Sequence, residues 1–254
     1  MGAPTFQNLL SKHVLIIGGS SGIGFGVAAA SLAAGARVSI SSSSHPKVQS
    51  KVSQLKEWFP KSEVEGFAAD LNKPTLQRDL HDLFEKVGKL DHIVFTACDP
   101  LELVPWQDLT LQQYSKSGQM RLYAQFFVAQ VGQRYLNPGP ESSITFTSGT
   151  SSEKPTAGWA MVASFAAGLK GLTRNLAIDL KPIRVNCVSP GYVATELWGG
   201  MDAGTREGIF DSLKKTLPTG AVGRPEQVAE AYLWLMKDSN VTGTCAETNG
   251  GMKL

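Results

Sequence analysis

Directly after the apolar run His13–Ile17 the chain reads Gly18-Gly19-Ser20-Ser21-Gly22-Ile23-Gly24, and directly after that comes a stretch of small and apolar residues. A short apolar run ending in glycine predicts a buried strand, and the apolar spacing over 23–34 predicts an amphipathic helix. The junction therefore reads strand, tight turn, helix. Glycines there let the backbone bend sharply and bring N–H groups, at the positive end of the helix, up to a bound phosphate.

The same alternation continues along the chain. Strands are predicted over 36–41, 64–69, 92–96, 143–147, 183–188 and 244–248, and helices over 48–59, 75–87, 113–135, 159–180 and 225–236. Apolar strands alternating with helices predict a parallel sheet of seven strands with helices on both faces: one doubly wound α/β Rossmann domain over 1–254. Residues 198–215, rich in glycine and polar side chains, break the pattern and predict an irregular segment, either a surface loop or a lid over a pocket.

Composition supports this frame and narrows the partner. With 254 residues and 42% hydrophobic content, the chain can bury the core of one α/β domain. The net charge is +2 and the charges are interspersed, so neither a nucleic-acid footprint nor a basic membrane-binding face is expected. The expected partner is a small molecule. No apolar run approaches the roughly 18 residues of a membrane span and no leader pattern opens the chain, which makes a cytoplasmic location the default expectation. Cys98, Cys187 and Cys245 are far apart in sequence without CxxC spacing, so they are expected to be small buried hydrophobes. His13, His45, His81 and His92 show no ligand spacing, and no metal is expected.

In a fold of this kind the second strand ends, about twenty residues past the glycine turn, where NAD-binding chains carry an acidic residue against the ribose hydroxyls. Here Ser41-Ser42-Ser43-Ser44 stand there, followed by His45 and Lys47. Hydroxyls and a nearby cation accommodate a 2′-phosphate that a carboxylate would repel, so NADP(H) is the expected cofactor. The alternative is a polar loop whose serines cap the next helix.

These features, with further motifs, resemble the short-chain dehydrogenase/reductase family over nearly the whole chain. Ile17 to Gly24 resembles its TGxxxGxG turn, with Ile17 where Thr is usual, and implies cofactor contacts from Gly18, Ser20, Ser21, Gly22, Ile23 and Gly24. Asp70-Leu71 resembles the pair beside adenine. Phe95-Thr96-Ala97-Cys98 stands for the family's NNAG strand end, leaving Ala97 a backbone role. Ser189-Pro190-Gly191-Tyr192-Val193-Ala194-Thr195 resembles the PG segment, implying Pro190, Gly191, Val193 and Thr195 near the nicotinamide. Arg224 to Ala229 and Thr242 to Gly251 resemble the last helix and strand.

The family's catalytic residues carry over only in part. Ser148 matches the substrate-orienting Ser, and Arg121 stands where the family has Asn. The YxxxK pair falls on Met161 or Val162 and on Phe165 or Ala166, because no Tyr lies between Tyr135 and Tyr192 and no Lys between Lys154 and Lys170. The expected cavity therefore lacks a phenol. A ketone acquires negative charge on oxygen as it is reduced and needs an acid or oxyanion donor. An iminium is already cationic, and a well-oriented cofactor can suffice.

A narrower similarity points the same way. Arg121 and Pro155-Thr156-Ala157-Gly158-Trp159 are similar to features of Tyr-less fungal malbrancheamide-type reductase/Diels–Alderases of prenylated indole alkaloid biosynthesis, with Thr156 where those carry Asp. The expectation is an NADPH-dependent imine or iminium reductase of specialised metabolism, with Arg121, Ser148 and Trp159 shaping its pocket. The alternatives are a cyclase that keeps the dinucleotide without using its redox chemistry, or a non-catalytic subunit of a hetero-oligomer. The resemblance also implies a homodimer or homotetramer through the helices over 113–135 and 159–180.

Overall fold

The computed structural model describes residues 6, 8–101 and 104–254. Its strands are β1 His13–Ile17, β2 Arg37–Ser42, β3 Val64–Ala68, β4 His92–Phe95, β5 Ser143–Thr147, β6 Arg184–Pro190 and β7 Cys245–Thr248. They pair in parallel as one sheet in the order β3-β2-β1-β4-β5-β6-β7. This is the doubly wound seven-stranded Rossmann arrangement that the alternation predicts. Strand order reverses between β1 and β4, and a crevice opens beyond their carboxyl ends.

The helices are α1 Gly22–Ala33, α2 His45–Trp58, α3 Leu76–Val87, α4 Leu111–Gly118, α5 Ala124–Gly132, α6 Ala160–Asp179, α7 Ala203–Thr216 and α8 Pro225–Lys237. β1 shows why the sheet is covered on both sides, since all five of its residues are buried. Val14 and Ile16 join a cluster with Val27 and Leu32 of α1 and Tyr232 and Leu235 of α8. Leu15 and Ile17 join another with Leu80 and Phe84 of α3, Val128 of α5 and Leu169 of α6. Alternate side chains point to opposite faces, so a strand buried on both is apolar on both, as Val14–Ile17 are, and its one polar residue, His13, is hydrogen-bonded to the Lys89 carbonyl and the Ser39 hydroxyl. Each such side chain contributes about 1.5–3 kcal/mol by leaving water. α1 and α8 cross closely at Gly26, where a Cβ would stand 2.9 Å from the Pro225 carbonyl oxygen.

Three expectations are corrected. Much of the irregular segment 198–215 is helix α7, started by the Asp202 carboxylate accepting from the Thr205 N–H at 2.9 Å. No residue of α7 is buried, so its polar composition imitates a loop. The helix read as continuous over 113–135 is interrupted by a π-helical turn, Gln119–Tyr123. The thiols differ too: Cys98 is exposed, whereas Cys187 and Cys245 are register partners on β6 and β7. Strand pairing brings together residues that sequence distance separates.

At the amino end of the sheet, His92, Ser143 and Arg184 stand in register on β4, β5 and β6. His92 Nδ1 lies 2.9 Å from the Ser143 hydroxyl. Burial first, and the Arg184 charge second, push the His92 imidazole down to about 3, so it is neutral in the folded chain. Burial also lowers His13. An unfolded histidine takes up its proton near 6.5, so the stability tied to a neutral His92 is complete above that pH and is lost as pH falls toward about 3. The expected slope is about 1.4 kcal/mol per pH unit for each such proton. Denaturant titrations across this range should show it, and His92→Asn should remove one proton's share; identical slopes in both proteins would contradict the assignment.

Candidate active site

Two connected spaces occupy the crevice at the carboxyl ends of β1 and β4. The first is a groove of about 370 Å³ that runs past Ser20, Ser21 and Gly22 to Ser42, Ser43, Asp70 and Leu71. Its floor depends on glycine. Gly18 has φ +94°, and a Cβ on it would lie 2.4 Å from the Ala97 nitrogen. A Cβ on Gly24 would lie 2.3 Å from both the Gly18 carbonyl oxygen and Thr96 Oγ1. The turn thus packs flat on the end of β4, with the Gly18 and Gly19 N–H groups donating to the Ser41 carbonyl at 2.8 and 3.2 Å.

Two residues expected to contact the cofactor do not line the groove. Gly24 packs behind the turn, and the Ser41 hydroxyl is buried without a hydrogen-bond partner and away from the groove. Ser42 and Ser43 do line it, as does Lys47, and the buried Ser42 hydroxyl is likewise unpartnered. Ser44 caps α2, accepting from the Lys47 N–H at 3.5 Å. Ser44 also lines the groove, so one serine both caps and lines, two only line, and Ser41 does neither. Asp70 accepts from the Asn72 N–H at 3.2 Å and pairs with Lys73 at 3.5 Å.

The second space is a cavity of about 200 Å³ that shares Ile23, Thr96, Ala97 and Thr195 with the groove. Pro190, Gly191 and Val193 form one wall, where β6 ends. Opposite, Val162 and Ala166 of α6 line the space, and the buried Met161 and Phe165 do not. Of the two candidate pairs, only Val162 and Ala166 line the cavity. Lys170, one turn beyond Ala166, does not line the cavity and is ion-paired to Glu153 at 2.5 Å. Lys170 first and Lys253 second pull the Glu153 carboxyl down to about 2.

Arg121, Ser148 and Trp159 all line the cavity. Arg121 sits in the π-helical turn, an irregularity that re-aims side chains and recurs at functional sites. Its guanidinium donates to the carbonyls of Asp99 at 3.1 Å, Pro100 at 3.3 Å and Ser117 at 3.4 Å, clamping the segment after β4. The Ser148 hydroxyl donates to the Ala166 carbonyl at 2.9 Å, which leaves lone pairs but not its proton for a ligand. Gln125, one turn past Arg121, donates to the Arg121 carbonyl at 2.9 Å and accepts from the Thr147 N–H at 3.4 Å. A glutamine inside a long helix carries no sequence signal for such a role.

An aromatic wall completes the cavity. Trp159 meets the edge of Tyr192 with ring centroids 6.3 Å apart, Tyr192 stacks on Trp198 at 5.5 Å, and Trp198 meets Phe210 of α7 at 6.0 Å. The expectation of a cavity without a phenol is corrected by Tyr192, whose residue position in the PG segment lies outside the helix where a phenol was sought. Burial raises its pKa and keeps it protonated. Among the described residues, no carboxylate, imidazole or lysine lines the cavity, and no cluster could hold a metal ion. No helix among them is long and apolar enough to cross a membrane.

Comparison with known proteins agrees with this architecture. The family model for an SDR-like Rossmann domain matches residues 6–254. Short-chain dehydrogenase/reductase fsr5 of Gibberella fujikuroi is 42% identical over 256 residues, which span 98% of this chain and 97% of that protein. The structure of the MalC reductase/Diels-Alderase of Malbranchea aurantiaca superposes with a TM-score of 0.92 at 39% identity, covering 97% of this chain and 98% of that one. A small-chain dehydrogenase solved in complex with NADPH superposes at 0.78 with 28% identity, over 96% and 99% of the two chains. With a family match across almost its full length and a glycine turn, groove and cavity in the places the fold requires, the chain belongs to the short-chain dehydrogenase/reductase family.

Proposed function

We propose that this chain binds NADP(H) in the groove and reduces an imine or iminium in the adjoining cavity, within a specialised-metabolite pathway of alkaloid-like chemistry. The residues present suit the cofactor. The glycine turn packs against the end of β4 and Thr195 where a Cβ would clash, which keeps Ser20, Ser21 and Gly22 lining the groove, the Ser42 hydroxyl lacks a partner, and Lys47 lines the same groove as a cation. Similarity to a protein named as a reductase/Diels-Alderase, and to one solved with NADPH, supports the same reading.

The single observation that carries the substrate class is that Val162 and Ala166, aliphatic side chains at the spacing of the family's YxxxK pair, line the cavity. Bound NADPH would supply the hydride. Ser20, Ser21, Gly22 and Ile23 would hold its diphosphate, Ser42, Ser43 and Lys47 its 2′-phosphate, and Asp70 and Leu71 its adenine. Pro190, Gly191, Val193 and Thr195, with the Ala97 backbone, would orient the nicotinamide side. Trp159, Tyr192 and Trp198 present aromatic faces, which attract a cationic acceptor and exclude water. The Arg121 charge is directed onto three carbonyls, and it holds the wall in place. Thr156 lines the cavity at the loop position where the similarity to reductase/Diels–Alderases implies Asp, and the missing carboxylate favours the reductase reading over the cyclase one. Phe126 on α5 and Ile178 on α6 stand 42% and 69% exposed, apolar positions suited to a homodimer or homotetramer.

The test pairs a cyclic iminium with the ketone of matching shape and follows NADPH oxidation. Deuterium from C4-labelled NADPH should enter the iminium carbon while the ketone stays unreduced; reduction of the ketone alone would overturn the proposal. Tyr192→Phe should retain iminium turnover within about threefold, and a loss of about a hundredfold would show a required proton donor instead. Ser42→Asp should weaken NADPH about tenfold more than NADH, since a carboxylate repels the 2′-phosphate. Equal weakening of both, measured by fluorescence titration, would remove the basis for NADP(H) preference.

A further inference from the structure

The positive end of α1 already faces an anion that belongs to the chain. Ser21, at the N-cap, makes no side-chain capping bond, and the first turn of α1 has no acidic residue. The Gly22 N–H instead donates to Glu196 Oε2 at 2.9 Å, across 174 residues of sequence. Glu196 lines the same groove as Ser20, Ser21 and Gly22. It directly follows Thr195 and opens the 3₁₀ turn Glu196–Trp198, whose last residue belongs to the aromatic wall of the cavity.

Resting on the NADP(H) reading above, we propose that Glu196 is an internal competitor for the cofactor's diphosphate and so sets the affinity for the dinucleotide. The Gly22 amide has one proton, which can go to Glu196 or to a diphosphate oxygen. A carboxylate and a diphosphate at the same helix end also repel each other, across a groove where solvent screens them only in part. Cofactor entry therefore exchanges one anion for another. The carboxylate that leaves draws on the 3₁₀ turn carrying Trp198, so filling the groove is linked to the wall of the neighbouring cavity. No covalent step is involved. Glu196 acts by position and charge.

Glu196→Gln keeps the shape of the side chain and removes its charge, and Glu196→Ala removes the competing acceptor altogether. In calorimetric titrations both variants should bind NADP⁺ about fivefold more tightly than the unaltered chain, the size expected for one charge at a helix end. Binding of 2′-AMP, which lacks the diphosphate, should stay unchanged in the same proteins. Thermal melts of the variants without nucleotide confirm that both are folded. Unchanged or weaker NADP⁺ binding in both variants, with the unaltered chain still binding, would overturn the competitor role and leave the cofactor reading standing. Equal tightening of NADP⁺ and 2′-AMP would overturn it too, by showing a general charge effect. If the unaltered chain binds neither NADP⁺ nor NADPH, the cofactor reading itself fails and the competitor role falls with it.

Discussion

Gly18→Ala is expected to abolish detectable NADPH binding and to lower the stability of the fold by about 2–4 kcal/mol. Gly18 adopts φ +94°, a conformation that a side chain disfavours, and the added Cβ would lie 2.4 Å from the Ala97 nitrogen and 2.7 Å from its Cα. Neither neighbour can turn aside, because both are backbone. The N–H of Ala97 is itself bonded to the Ile17 carbonyl at 3.1 Å, so the clash falls on the β1–β4 junction that forms the floor of both spaces. The turn must shift, and the amides of Ser20 to Ile23 shift with it. Nucleotide titration with a parallel urea melt checks both effects. An alanine variant that binds NADPH like the unaltered chain would show that the turn does not grip the cofactor.

Arg184→Leu should destabilise the protein by about 3–5 kcal/mol. Its guanidinium donates to four carbonyls, of Pro140 and Leu235 at 2.6 Å, Met236 at 2.9 Å and Val241 at 3.0 Å, and the residue is only 3% exposed. Leucine would fill much of the volume but leave buried acceptors without donors, which is costlier than replacing both sides of a bond. Two of those carbonyls end α8, where a cation also opposes the helix dipole. Because α8 crosses α1 at Gly26, loosening it should reach the phosphate turn as well. Chemical denaturation measures the loss, and Arg184→Lys should recover a minor part of it, having a single donor centre. A leucine variant within 1 kcal/mol of the unaltered chain, about the ordinary cost of a point change, would contradict this assignment.

The sheet was legible in the sequence because a parallel strand buried on both faces must be largely apolar, as Val14–Ile17 of β1 and Ile93–Phe95 of β4 are. The glycine turn was legible for a different reason: residues 18 to 24 need backbone freedom that other residue types lack. Helix α7 was hidden because it buries nothing and so has no apolar stripe to reveal its period. The π-helical turn was hidden because Gln119 to Tyr123 differ from a regular helix only in hydrogen-bond register. Within the site, motif position located Arg121, Ser148 and Trp159, but not what their polar groups do. That Ser148 gives its proton to Ala166, and Arg121 its protons to the segment after β4, depends on how α6 and the π turn pack. Tyr192 and Glu196 escaped notice because each reaches its partners across the sheet's upper edge, from a segment valued in the sequence only for Pro190, Gly191, Val193 and Thr195.

Calorimetric titration of the unaltered protein with NADPH, set beside NADH, tests the central claim most directly. A saturable transition with NADPH, at least about tenfold tighter than with NADH, is the result the groove demands. Absence of heat and of nicotinamide fluorescence change with either nucleotide would contradict it.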